Sequence, residues 1–131
     1  MKHKSVGAII KKNGKILMLD RAMFPFGWAC PAGHVKKSEK EEEALKREIK
    51  AETNIKIKDF KLIAHEFIDW NECRKGVKGH EWFLYEIKSW EGEVKSNNES
   101  KEIGWYSKKE ILELELETVW NYWFSKFKII K

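Results

Sequence analysis

The sequence predicts an α/β domain in which a mixed β-sheet carries helices packed on it. Three observations predict this. Apolar runs of strand length open the chain, a segment rich in Glu, Lys, Ala and Leu follows over residues 38–53, and further strand-like runs then lead to helical segments. That order, strands, helix, strands, helices, suits a sheet with helices laid against it. The length of 131 residues is that of one domain, taken as spanning 1–131. A chain of this size buries roughly two thirds of its unfolded surface. Its 42% hydrophobic content and 7 tryptophans can supply the core.

Val6 to Lys11 and Lys15 to Asp20 are apolar runs separated by Lys12-Asn13-Gly14. Asn-Gly between such runs marks a hairpin. Ala22 to Gly27 reads as a loop holding Phe24 and Phe26 around Pro25. Trp28 to Val35, with Pro31 and Gly33, reads as short, irregular strand. Ser38 followed by Glu41 reads as a capping box that opens a helix running to about Thr53. Ala44, Leu45 and Ile49 form its buried stripe, and Asn54 suits the left-handed position just past its end. Ile55 to Trp70, Glu81 to Lys88 and Gly104 to Tyr106 read as strands. Ser107 with Glu110 repeats the capping pattern before a short helix. Val119 to Ile130 reads as a last helix with Trp120, Trp123, Phe124 and Phe127 at helical spacing, forming core or, alternatively, a dimer or interaction face.

The formal charge is +5, but lysines such as Lys36, Lys37, Lys40 and Lys46 alternate with acids. No single basic stripe results: the surface reads as solvated and mixed in charge or, alternatively, as attracted to a polyanion such as a nucleotide or RNA, with nucleic acid the less expected partner. Cys30 and Cys73 are the only cysteines, there is no Cys-x-x-Cys, and no apolar signal or membrane-length run is present. These features place the chain in a reducing cytoplasm. It is expected to be a monomer or homodimer.

Glu48 and Glu52 stand four residues apart on the predicted helix, so their side chains are near neighbours on one face. Two carboxylates so placed repel unless a cation lies between them. Mg2+ suits the position, because it takes oxygen ligands and needs only one or two carboxylates beside substrate phosphates. A solvated glutamate face balanced by lysines is the alternative for the pair alone. Only Arg21, Arg47 and Arg74 are arginines in a chain with 26 basic residues. A guanidinium makes bidentate contacts to carboxylate or phosphate that lysine cannot make.

Gly33, Glu39, Arg47, Glu48, Ile49, Glu52 and Ile55 fall at the spacing of the Nudix box, over residues 33–55. That motif runs glycine, five residues, glutamate, seven residues, Arg-Glu-aliphatic, one residue, Glu-Glu, one residue, glycine, aliphatic. The preceding Trp28-Ala-Cys-Pro31-Ala32-Gly33 is similar to the Trp-x-x-Pro-Gly-Gly approach of that family. The chain thus resembles the Nudix hydrolases, of the MutT-like kind. The resemblance implies an α/β/α sandwich, with a mixed sheet between helices, that hydrolyses a nucleoside diphosphate linked to another group with Mg2+ or Mn2+.

Carried over residue by residue, the resemblance makes Glu48 and Glu52 metal ligands, with Glu48 also a candidate base. Arg47 would orient the glutamates, and Glu39 would brace the loop by pairing with basic side chains. Arg21 is a candidate phosphate contact, and Phe26 and Trp28, with Phe24, are candidates to stack on a base. A further acidic ligand is expected from the loop before a late strand, where Glu99-Ser-Lys-Glu102-Ile-Gly-Trp105 resembles the family pattern. Glu99 is the preferred residue and Glu102 the alternative. His34 and His80 read as polar surface groups rather than ligands.

Two positions depart from the motif. Asn54 stands for a glycine and can adopt the same turn. Ala51 stands for a glutamate and cannot hold a cation. Either the chain is an enzyme with fewer or weaker metal sites, or it is a nucleotide-sensing or RNA-contacting domain with little or no turnover.

Overall fold

The computed structural model describes residues 3–22, 25–70, 79–95 and 100–129. Strands β1 (His3–Lys12) and β2 (Lys15–Arg21) form the expected antiparallel hairpin, with Lys12 opposite Lys15. Asn13 and Gly14 both take positive φ, 53° and 77°. That is the backbone a two-residue hairpin of right-handed twist requires.

The irregular segment resolves into two short strands, β3 (Gly27–Ala29) and β4 (Ala32–His34). Helix α1 (Glu41–Thr53) follows, then the long strands β5 (Lys56–Ile68) and β6 (His80–Glu91), then β7 (Ser100–Ser107). Helices α2 (Lys108–Ile111) and α3 (Thr118–Lys126) complete the described elements. The main strand order is β3-β2-β1-β6-β5, with β4 also paired to β1 and β7 to β2. β1 is parallel to β6 and antiparallel to β2 and β4, so the sheet is mixed.

Alternation along β1 divides the core. Val6, Ala8 and Ile10 face one side, where they join Leu17 and the α1 stripe of Ala44, Leu45 and Ile49. Ile9 faces the other side, with Ile16, Met18, Ile111, Val119, Trp120, Trp123 and Phe124. The period of two along a strand makes this possible. The result is the expected sandwich of helix, sheet and helix. Gly7 points to the second side, where an added Cβ would lie 2.9 Å from the Trp120 ring. Its missing side chain is what lets that indole lie on the sheet. Trp120, Trp123 and Phe124 are fully buried, so the aromatic stripe is core rather than an external face.

Three expectations are corrected. The cap position of α1 falls at Lys40, two residues after Ser38. Residues 36–39 instead close a turn, in which Glu39 N–H donates to the Lys36 carbonyl at 3.0 Å. Glu43 then accepts the Lys40 N–H at 2.8 Å, and Glu41, Glu42 and Glu43 place negative charge at the helix start. The last helix ends at Lys126, not Ile130. Lys128 turns left-handed (φ 56°) and the Ile129 N–H reaches back to the Phe124 carbonyl at 2.8 Å, a closure that stops the helix.

The third correction is His80, which is 2% exposed rather than a surface group. It lies on β6 between His3 of β1 and Ile68 of β5, covered by strands on both sides. Cys30 is buried and free, and burial pushes its thiol well above the usual range. Cys73 lies outside the described residues, as do Phe24 and Arg74. No helix among the described residues is long and apolar enough to cross a membrane.

Trp120→Ala should destabilise the domain by about 3–5 kcal/mol in chemical denaturation. Leu112→Ala, at a side chain 55% exposed, should move stability by no more than about 0.5 kcal/mol.

Candidate active site

The three residues of β4 are the floor of the site. β4 is fixed to β1 by the Gly7–Ala32, Val6–Gly33 and Ser5–His34 pairs. Ala8 N–H donates to the Pro31 carbonyl at 3.0 Å, and Val35 N–H donates to the Lys4 carbonyl at 2.9 Å. Helix α1 packs on the sheet beside this floor through Ala44, Leu45 and Ile49, and Glu48 and Glu52 meet β4.

Gly33 faces Glu48. A Cβ built on Gly33 would lie 2.1 Å from the Glu48 Cδ and 2.2 Å from its Oε2. No positive φ is involved. The glycine is required because the carboxylate occupies the space a side chain would fill. Glu52 is buried (9% exposed). Its Oε1 accepts the Ala32 N–H at 2.8 Å, so a backbone amide holds that carboxylate against the floor. Ala51, between them on the helix, is exposed.

Arg47 ties the parts together. Its Nε donates to Glu39 Oε2 at 2.7 Å and its Nη2 to Glu39 Oε1 at 2.9 Å, a forked pair. Nη2 also donates to the His34 carbonyl at 2.9 Å, and Nη1 donates to Glu48 Oε1 at 2.5 Å. One guanidinium therefore grips the turn, the end of β4 and the Glu48 carboxylate. Glu39 accepts the Lys36 N–H at 3.0 Å as well. The Arg47 hydrogen bonds, then the Lys36 amide, hold its carboxyl down to about 2. In return Glu39, and then Glu48, push the guanidinium further above its ordinary value.

The C-terminal end of α1 is fixed as firmly. Asn54 is left-handed (φ 72°) and its N–H donates to the Lys50 carbonyl at 2.9 Å. Its Nδ2 also donates to the Glu93 carbonyl at 3.1 Å. Asparagine here does more than stand for glycine, because it ties the helix end to the segment after β6.

Arg21 ends β2 opposite Gly27. Its Nε donates to the Pro25 carbonyl at 2.6 Å, which fixes the loop before β3. Phe26 is 59% exposed on that loop. Trp28 is half-buried in β3 and lies edge-on to Tyr106, with ring centroids 5.1 Å apart. Glu99 lies outside the described residues. Glu102 is exposed on β7 opposite Asp20. The Ala32 amide and the His34 carbonyl are partners that side-chain patterns could not reveal, since any residue supplies them.

Stability should depend on acid through Glu39. Its folded value of about 2 lies below the ordinary 4.5, so its contribution is present above pH 4.5 and is lost as pH falls toward 2. Glu39→Gln should flatten that acid limb in denaturation measured across the range. Arg47→Lys, which cannot reproduce the fork, should cost about 1–3 kcal/mol at neutral pH.

Comparison with known proteins agrees with this arrangement. The NUDIX domain model matches residues 1–126. The chain is 26% identical over 118 residues to the nucleoside triphosphatase NudI of Escherichia coli O139:H28, covering 82% of this chain and 84% of that one. The fold is similar to the MutT NUDIX hydrolase of Burkholderia pseudomallei, with a TM-score of 0.73 and 25% identity over 84% of this chain and 86% of that one. It is also similar to the MutT protein of Methanosarcina mazei Go1, with a TM-score of 0.77 and 24% identity over 97% and 93% of the two chains. The chain belongs to the Nudix family and is a Nudix hydrolase, an enzyme acting on phosphoanhydride bonds.

Proposed function

We propose that the chain hydrolyses a nucleoside diphosphate linked to another group, with Mg2+ (or Mn2+) held by Glu48 and Glu52. The observation that carries this reading is the pair of carboxylates fixed against β4. Glu52 is held there by the Ala32 amide, and Glu48 sits in the space that Gly33 leaves empty. Carboxylate oxygens are the hard donors Mg2+ prefers, so the residues fit the ion. Glu99 is the residue proposed to complete the set from the loop before β7. When bound, the ion screens the diphosphate's charge and lowers the pKa of a coordinated water.

The remaining roles belong to this chain's own groups. Arg47 holds Glu48 by Oε1, which fixes where the other oxygen points. Glu48 Oε2 is the atom proposed to take a proton from the attacking water. Arg21, at the end of β2, is the group proposed to meet a phosphate oxygen, and Phe26 and Trp28 are the aromatic rings proposed to stack on a base. The name of the Escherichia coli relative, a nucleoside triphosphatase, supports a nucleotide as substrate. Family membership favours turnover over a binding-only domain. Ala51 then means a smaller set of carboxylates, not a dead site.

The proposal is tested with a panel of nucleoside diphosphate derivatives and nucleoside triphosphates in Mg2+. Glu52→Gln keeps an acceptor for the Ala32 amide and removes only the charge. It should cut kcat by about 100-fold or more, as should Glu48→Gln. Equal product release by wild type and Glu52→Gln on every compound would sink the proposal. Gly33→Ala should displace the Glu48 carboxylate and lower kcat while the thermal transition stays cooperative. Ala51→Glu should tighten Mg2+ binding in calorimetry if the site is short of charge.

A further inference from the structure

We propose that His3, His34 and His80 form a second metal site, one for a borderline transition ion such as Zn2+, separate from the carboxylates of α1. One ring nitrogen from each lies within 4.8 Å of the other two. The residues are distant in sequence and come from three strands. β1 pairs in parallel with β6, setting His3 beside His80, and antiparallel with β4, setting His34 opposite Ser5. The His34 and His80 rings stack with centroids 5.4 Å apart, and His3 lies edge-on to both, at 5.0 and 5.7 Å.

Two further observations point to a ligand. His3 Nδ1 is buried and has no hydrogen-bond partner among the described residues. A buried ring nitrogen without a partner is costly, and coordination would satisfy it. Ser5 Oγ lies 3.2 Å from His80 Nδ1, and both residues are buried. A ligating histidine is commonly oriented by a hydrogen bond to its other nitrogen. Ser5 in that position assigns Nε2 of His80 to the ion.

Three imidazoles suit Zn2+, Co2+, Ni2+ or Cu2+ and are poor ligands for Mg2+. Tetrahedral Zn2+ with Zn–N of about 2.0–2.1 Å needs its nitrogens about 3.4 Å apart, so the rings close in by small rotations on binding. Three protein ligands leave a fourth position for water or an anion. The site also touches the box at one point. The His34 carbonyl accepts from Arg47 Nη2 at 2.9 Å, so an ion on the His34 ring anchors the backbone that Arg47 grips.

The test is Zn2+ binding by calorimetry in excess Mg2+, with Co2+ absorption as a second readout. Wild type should take up one Zn2+ per chain and show the visible bands of four-coordinate Co2+. The double variant Glu48→Gln/Glu52→Gln should keep both signals. His34→Gln and His3→Ala should each lower Zn2+ affinity about tenfold or more, and Ser5→Ala about tenfold. His3 begins β1 and is only half-buried, so His3→Ala remains informative if His34→Gln fails to fold. Zn2+ affinity unchanged in His3→Ala, or abolished in the glutamate double variant, would overturn the assignment. Loss of hydrolysis with Zn2+ binding intact would bear on the carboxylate site alone.

Discussion

The site depends on one guanidinium. Arg47 contacts the turn after β4, the last residue of β4 and a carboxylate of α1 together, through Glu39, the His34 carbonyl and Glu48. Apart from the Ala32 amide on Glu52, packing joins these elements, and packing fixes distance but not direction. Charge-assisted hydrogen bonds to a planar fork fix both. The lowered value of Glu39 is the electrostatic signature of that role. Lysine, abundant elsewhere in the chain, could not replace it, because one ammonium cannot hold two carboxylates and a carbonyl in a plane.

The sheet presents the pieces that Arg47 then joins. β1 is central, and its alternation sends Val6, Ala8 and Ile10 to α1 and Ile9 to α3. With α1 held by its apolar stripe, the adjoining positions Glu48 and Glu52 have little freedom. Their meeting with β4 follows from the packing of Ala44, Leu45 and Ile49. The close approach is possible only where residue 33 lacks a side chain. The fold thus spends its apolar contacts on placing two charged groups where neither could lie by its own preference.

The sequence was most legible where chemistry is local. Asn13-Gly14, Asn54 and the Ser107–Glu110 cap depend on the conformational preferences of the residues themselves, and each appears as read. The α1 stripe and the box glutamates share this quality, because a helix converts spacing directly into a face. Ser38 misled because Glu39 is engaged by Arg47 and Lys36, contacts that delay the helix start and cannot be seen in a three-residue pattern. The His3, His34 and His80 group was illegible for the opposite reason. Nothing in their spacing relates them until the parallel β1–β6 register is known, and His80 accordingly read as a surface residue. The roles given to Glu99 and Phe24 fall outside the described residues.

Gly27 has a consequence for the sheet's borders. Its φ of 124° and lack of a side chain let the backbone of residue 117 come within 2.6 Å of where a Cβ would stand. Trp28 then exchanges hydrogen bonds with Glu115 and Glu117, at 2.8 and 2.9 Å. β3 is the terminal strand of the main path, and this segment satisfies backbone groups that would otherwise invite another strand. At the other end, β5 has no such cover described. It carries register breaks and a row of lysines, Lys56, Lys58 and Lys61. One end of the main path is thus closed by the link between α2 and α3 and the other guarded by charge and irregularity, so strand-to-strand self-association is discouraged at these two ends by different means.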